Sequence, residues 1–551
     1  MAQPDPPPLS ALLKAVLLTS LVFVLPIVAI RFGGGFEGLE LAAYDAFMRQ
    51  RPPEKLDDRV VIITISDDDI EQLQQYPIHD GTLADAIAKL DSDEPRAIGL
   101  DIARDVPQGP LTGRKQLAEV IEKSPTVVAG CLLSTDNHPG SPPAPGTPEG
   151  AAAFADFPTD VDKTVRRVKL VSIPAKTQKP LRKKHVCNDA RPDNEILSMS
   201  FQLATMYLAA SKISPDQTAN NEIRLNNQVL RRLSPSFGGY AHADANDYQM
   251  MLNYRGAQKA FREFSIVDVL KNRVKPAAIR DRVVLIGYTS EVSKDELSTP
   301  YVETQGGSRT ISGVIVHAHA VSQILSAVLE QRPLIQSWAE WAEWLWIWGW
   351  TVGSGIIALY NRRLGFFLIV LIGSSAVLWG ICYGLFLTQG LWLPLIPTLA
   401  GVIVAALGVR LADTANRSGY AQAIYEQMRE QLQSGLMGRD RQGDYLENLV
   451  RRARAVRQKE QAVALVQMES EPETFATPEM KALYEQVTAK VREELEAEQA
   501  QQTALLNIRG GGNKANRIQN LLSRARRSHS QISSTPTIPK DESPLPEDRH
   551  E

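Results

Sequence analysis

Only three of the 551 residues are cysteine, too few for a disulfide scaffold. Tryptophan is missing from the first 337 residues. Neither sign of charge dominates, and the formal net charge of −3 argues against a general nucleic-acid binder. Signatures of catalysis are missing too. There is no Gly-rich loop followed by a Lys strand, no HRD and no DFG, which excludes a protein kinase. No Ser/His/Asp order, no H-x-x-E-H and no paired Cys points to a hydrolase or a metalloprotease. The string RGGGNK at residues 509–514 follows a polar helical pattern instead of a buried strand, and it breaks the full phosphate-loop pattern, so it reads as a linker. The C-terminal part also lacks room for a compact cyclase domain with paired metal carboxylates. The sequence therefore predicts no catalytic residue, no metal and no cofactor.

What is present is strongly partitioned. All eight Trp fall between Trp338 and Trp392, the clustering expected of interfacial aromatics in a membrane region. Four apolar runs, at residues 12–30, 341–359, 364–387 and 391–411, approach or exceed the roughly 20 residues a membrane-crossing helix needs. The first has a weak basic start and no A-x-A-like cleavage site after it, so it reads as an uncleaved anchor. Arg362, Arg363, Arg410 and Arg417 flank the later runs on one side, whereas the turn at Thr388–Gly390 is uncharged. The positive-inside rule then puts both termini in the cytoplasm of a bacterial inner membrane and residues 31–335 outside it. Gly349 and Gly353 form a GxxxG pair, which marks a close helix contact and leaves a homodimer open.

Residues 31–335 read as an α/β domain with a mostly parallel sheet. Strand patterns occur at 60–66, 96–101, 126–132, 166–173, 249–254 and 282–287. Helical patterns at 82–90, 117–122, 198–209 and 265–270 alternate with several of them. VVIITIS and RVVLIG have the unbroken apolar character of central strands covered on both faces. Cys131 and Cys187 lie in this segment, where a bridge is permitted, but nothing in the sequence fixes their separation. Residues 314–329 form a strong helical pattern leading through Pro333 into the membrane region. Beyond it, residues 412–508 read as cytoplasmic helices with coiled-coil character. Residues 509–551 lack large apolar side chains and read as a disordered tail.

The acidic candidates are Asp67–Asp69, Asp101, Asp105 and Asp295. In SDDDIEQL, Asp67 suits a helix N-cap and Asp68 and Asp69 suit the first turn. Asp67 and Asp101 also follow strands directly, and open α/β sheets bind ligands beyond the carboxyl ends of their strands. Gly287, Asp295 and Thr299 close the same rim in this reading. His317 and His319 are two apart, so on a helix they point to different sides and do not share a metal.

Seven segments in order, YDAFMRQRPPEKLDDRVVIITISDDDI, PRAIGLDIARDVP, FADFPTDVDKTVRRVKL, SMSFQLA, MLNYRG, DRVVLIGYTS and SGVIVHAHAVSQILSAVL, resemble the type-two CHASE domain. That module is the extracytoplasmic sensor associated with cyclases and histidine kinases. The resemblance implies an external sensor domain, three following membrane helices and a cytoplasmic output. The sequence departs from the family at Tyr76-Pro77-Ile78, where an aromatic is usual after the proline, and in having no recognisable output domain. The expectation is a non-enzymatic membrane sensor or adaptor, with an unknown small molecule or protein outside and a signalling protein at the helical tail. The alternatives are an envelope-organising structural protein and an enzyme using Asp67 and Asp101.

Overall fold

The computed structural model describes residues 9–411 except 182, 257–259, 294, 302–309 and 361–363. The predicted cytoplasmic helices, the tail and the Arg362–Arg363 loop lie outside the described residues. The chain enters through α1 (Leu9–Phe32) and α2 (Glu37–Gln50). Residues 21–32 and 37–50 meet at a bend of 82°. Then come β1 (Val60–Ile65), α3 (Asp67–Leu73), α4 (Asp80–Ser92), β2 (Ala97–Asp101), α5 (Leu111–Lys123), β3 (Val127–Cys131) and β4 (Ala152–Phe154). The middle of the chain holds β5 (Arg167–Ser172), β6 (Ile196–Leu197), α6 (Met199–Ala209), β7 (Pro215–Gln217), β8 (Ile223–Leu225), β9 (Gln228–Leu230) and β10 (Tyr248–Met251). It returns through β11 (Arg262–Ser265), α7 (Ile266–Leu270), β12 (Val283–Tyr288), β13 (Glu296–Ser298), β14 (Thr310–Ser312) and α8 (Gly313–Glu330). The last helices are α9 (Glu340–Tyr360), α10 (Leu364–Gln389) and α11 (Ile396–Leu411).

The main sheet has six parallel strands in the order β11-β1-β12-β2-β3-β4. Its central strands are apolar throughout because both faces are covered. Val61, Ile63 and Ile65 of β1 pack with Leu83 and Ile87 of α4 and Leu117 of α5. Val60 and Ile62 join the opposite core, with Leu203 of α6 and Val316, Ala320 and Ile324 of α8. One expectation fails here. The strands at 167–172 and 248–251 do not extend the parallel sheet but pair antiparallel with each other in the separate sheet β10-β5-β6. The β5 burial pattern, with half-buried Lys169 and Val171, already differs from that of a strand covered on both faces. Cys131 at the end of β3 is disulfide-bonded to Cys187, which settles a pairing the sequence left open.

By length and composition alone, the described helices give fewer candidate spans than the four apolar runs. Among the described residues, two helices are long and apolar enough to cross a membrane, or three if the bent pair at 21–50 is one span. One of the two is α8, and it is a core helix: 83% of its apolar window is buried inside the protein. The other is α10, of which only 11% is buried. The run at 391–411 yields the 16 residues of α11 only, because Leu391–Leu395 are used elsewhere. Trp392 is 1% exposed and lies 4.8 Å from the Tyr44 ring and 5.8 Å from Tyr240. A Cβ on Gly238 would sit 2.4 Å from its indole, and one on Gly239 2.6 Å, so only glycine admits the ring so closely. The Trp392 N–H donates to the Gln336 carbonyl. Arg31, at the end of α1, donates to the Gly238 carbonyl and pairs with Glu343 of α9. The α10–α11 turn is thus seated in the α/β domain. Within this chain, nothing among the described residues lies within 4 Å of a Cβ on Gly349 or Gly353. Both line a half-open groove of ≈ 310 Å³ with Trp346, Trp350 and Ser374. The helices approach most closely elsewhere, at Gly401 against Thr351 and at Gly408 against Phe23.

Candidate functional site at the carboxyl edge of the sheet

Because all six strands are parallel, their carboxyl ends share one edge. At that edge β12 connects to α8 on one face, while β1 and β2 connect to α3, α4 and α5 on the other. In open α/β sheets, ligands bind beyond the carboxyl ends of the strands at such a divergence. Two groups of acids lie there, and they differ in kind.

The first group follows β1. Its helix cap is Ser66 and not the expected Asp67: the Ser66 hydroxyl accepts from the Asp69 N–H, and the Asp69 carboxylate accepts from the Ser66 N–H at 2.8 Å. Ser66 already occupies the cap, so the Asp67 side chain turns to the neighbouring strand end. It accepts from the Ser290 hydroxyl and from the Glu291 N–H at 3.3 Å. Asp69 likewise accepts from the Ser265 hydroxyl. These carboxylates tie the end of β1 to the ends of β12 and β11. The nearby Tyr76–Pro77 peptide is cis, and the segment packs on the end of β12 through the Tyr288 hydroxyl, 3.0 Å from the Ile78 nitrogen.

The second group lies between β2 and α8. Asp101 is paired in register with Gly287 and is 14% exposed. Its oxygen is 3.9 Å from Nε2 of His317. Asp295 sits over the first turn of α8: its carbonyl accepts from the Gly313 N–H, and a Cβ on Gly313 would be 3.1 Å from its carboxyl oxygens. Burial raises the Asp101 carboxyl well above the carboxylate range, and the charge of Asp295 raises it further. Burial raises Asp295 as well. Neither carboxyl has a cationic or hydrogen-bonding partner among the described residues. His317 is 2% exposed, and burial lowers it to about 3, against the pull of the Ala155 carbonyl. It is therefore neutral, with Nδ1 2.7 Å from the Ser200 hydroxyl and Nε2 unpartnered.

Ser200, His317 and Asp101 contain the residue types of a catalytic triad. The arrangement offers no nucleophile, because Ser200 is wholly buried near the start of α6 and no substrate carbonyl can reach its oxygen. Gly287 does not form a rim turn. It lies inside β12 under α8, and a Cβ there would be 2.6 Å from the Val314 side chain, so it sets how closely the helix lies on the sheet. Thr299 is 3% exposed, beyond β13. His319 points away from His317, toward the Arg255 N–H and the rings of Tyr254 and Phe261. Sequence reasoning passed over Ser200 and His317 as site residues. Helical periodicity assigns both to a buried face, and nothing in it marks them as neighbours.

The far end of α8 is closed by ion pairs. Ser322 donates to Asp57 at 2.6 Å, and Ser326 accepts from Arg59 and Arg255 at 2.7 Å each. Arg59 and Arg255 both pair with Asp57. Arg332, just beyond the helix, pairs with Glu54 and donates to the Asn253 carbonyl at 3.0 Å. Burial works upward on Asp57, but hydrogen bonds from Arg59 and Ser322 hold its carboxyl below the usual value.

A parallel α/β sheet with two acid groups at its carboxyl edge defines the class: an α/β domain packed with helices apolar enough to be candidate membrane spans. The family follows from the chain itself. The model of the CHASE2 domain matches residues 20–356, more than half of the sequence, so the chain belongs to the CHASE2 family of extracellular sensor domains. No curated protein and no solved structure matches it.

Proposed function

We propose that this chain is a non-enzymatic sensor or signalling adaptor of the bacterial inner membrane. Its extracytoplasmic domain takes a small molecule or a protein at the β2–β12 crevice, and its helical tail, residues 412–508, passes the signal to a cytoplasmic partner. One observation carries this reading: α8 is a single rod with the unpartnered acids at one end and the ion-paired approach to the membrane helices at the other. A ligand that binds two positions of α8 with different affinity shifts the equilibrium between them. The end of α1, the start of α9 and the α10–α11 turn all meet the α/β domain, which supports four spans with both termini in the cytoplasm. The test is amide exchange on the full chain in nanodiscs, with and without fractionated envelope metabolites. Slower exchange in β12 and the first turn of α8, with a change in α9, is expected for some fraction. Identical exchange with every fraction would remove the small-molecule version.

A further inference from the structure

We propose that the Asp101–Asp295–His317 crevice recognises a primary ammonium group, so that the sensor's ligand is a small organic amine. This rests on the crevice being the sensor's ligand site and names the chemistry that site selects. Asp101 lies between the other two groups: its oxygen is 3.9 Å from Nε2 of His317, and the charge of Asp295 acts on its carboxyl. In the tautomer that donates Nδ1–H to Ser200, Nε2 is an acceptor, and an ammonium group offers N–H donors to it and to the carboxyls. His317 Nδ1 is already engaged by the Ser200 hydroxyl, and the ring is held by Phe157, 4.4 Å from it, so Nε2 is aimed at Asp101 by its surroundings. It is buried and lacks a partner, an arrangement that costs free energy until a partner arrives.

The charges around the crevice point the same way. β2 contributes Asp101, the segment before β13 contributes Asp295, α8 contributes neutral His317, and α6 contributes Ser200. β12 contributes Gly287, and the chain after β4 contributes Ala155 and Phe157. No arginine or lysine among the described residues pairs with either acid. Two adjacent carboxyls with no cationic partner among the described residues do not both ionise readily, so the pair retains a proton. An anion would be repelled. A hard divalent cation needs six or more oxygen ligands, and no three His, Cys, Asp or Glu side chains among the described residues gather closely enough to hold a metal. An ammonium group supplies the missing positive charge. As it enters, the shared proton leaves to solvent, and Nε2 accepts an N–H of the amine. Binding therefore tightens as pH rises through the titration of the acid pair.

The test is thermal unfolding of the full chain in nanodiscs with ethanolamine, 1,4-diaminobutane, tetramethylammonium or calcium, and with pH varied alone. At about a hundred times its Kd, a primary amine is expected to raise Tm by about 4 °C. Tetramethylammonium, with the same charge and no N–H, leaves Tm unchanged. Asp101→Asn and Asp295→Asn each abolish the shift, whereas Asp67→Asn, on the other acid group, keeps it and controls for folding. An equal shift from tetramethylammonium or calcium would overturn the inference, as would a shift that survives Asp101→Asn or no shift from either amine. If an uncharged or anionic metabolite gives a shift that Asp101→Asn removes, the amine is wrong and the sensor reading stands.

Discussion

The two ends of α8 rest on opposite electrostatics. At the N-terminal end, Asp101 and Asp295 have no cationic partner among the described residues, beside a neutral histidine. At the C-terminal end, Arg59, Arg255 and Arg332 are matched by Asp57 and Glu54, and Ser322 and Ser326 are drawn into the same network. Both ends bury ionisable groups, but among the described residues only the second has its countercharges in place. A network with every member partnered fixes one geometry. A pair of like charges lacking a countercharge leaves free energy for an incoming group to recover. Under the proposal above, the same helix is anchored at one end and responsive at the other.

The strongest way to break this contrast is to unbalance the anchored end. Asp57→Ala removes the shared partner of Arg59, Arg255 and Ser322, and should destabilise the domain by about 3–5 kcal/mol in denaturant unfolding. Gly287→Ala attacks the contact between helix and sheet near the responsive end. The Val314 side chain must give way, at a cost of about 1–3 kcal/mol, and exchange of the first turn of α8 should quicken. The next contrast is in pH. Asp57 is held below its ordinary value, so its contribution is present above about pH 3.9 and is lost as pH falls below that. The acid pair is raised, so its contribution is present below about pH 3.9 and is lost as pH rises through its folded titration. Asp101→Asn should accordingly be near neutral at pH 4 and stabilising by about 1 kcal/mol at pH 8. A stability profile unchanged between those pH values would contradict the raised pair. The smallest effect belongs to Asp67→Asn, which keeps an acceptor for Ser290 and should cost about 0.5 kcal/mol.

The central sheet was legible because burial on both faces writes itself as an unbroken apolar run. VVIITI, VVLIGY and the helices that follow Ser198 and Ser312 fall close to where the sequence predicts them. β11, REFS, was missed because a short edge strand with exposed Arg262 and Glu263 has no such run. β5 and β10 were legible as strands but not as a separate sheet, since pairing between residues some 80 apart leaves no local trace. Apolarity alone also could not separate α8 from a membrane span, because a core helix and a lipid-facing helix present the same composition. At the sheet edge, strand-end reasoning named Asp101, with Asp295 nearby. It also chose Asp67, whose partner Ser290 is 223 residues away and invisible to any local pattern. Trp392 was read as part of an interfacial belt, and only the glycines at 238 and 239 hint that a ring is received there.

The strand order also governs when the domain can be completed. Both neighbours of β1, which are β11 and β12, lie about 200 residues after it in the chain. At synthesis rates of about 5–20 residues per second, the VVIITI strand waits roughly 10–40 s with both hydrogen-bonding edges unpaired. Pairing so distant in sequence also folds slowly. During that interval the most apolar strand of the domain is its most aggregation-prone segment. Delivery across the membrane therefore favours a holding chaperone until residue 288 has emerged, and a chain interrupted before β12 leaves its central strand unpaired.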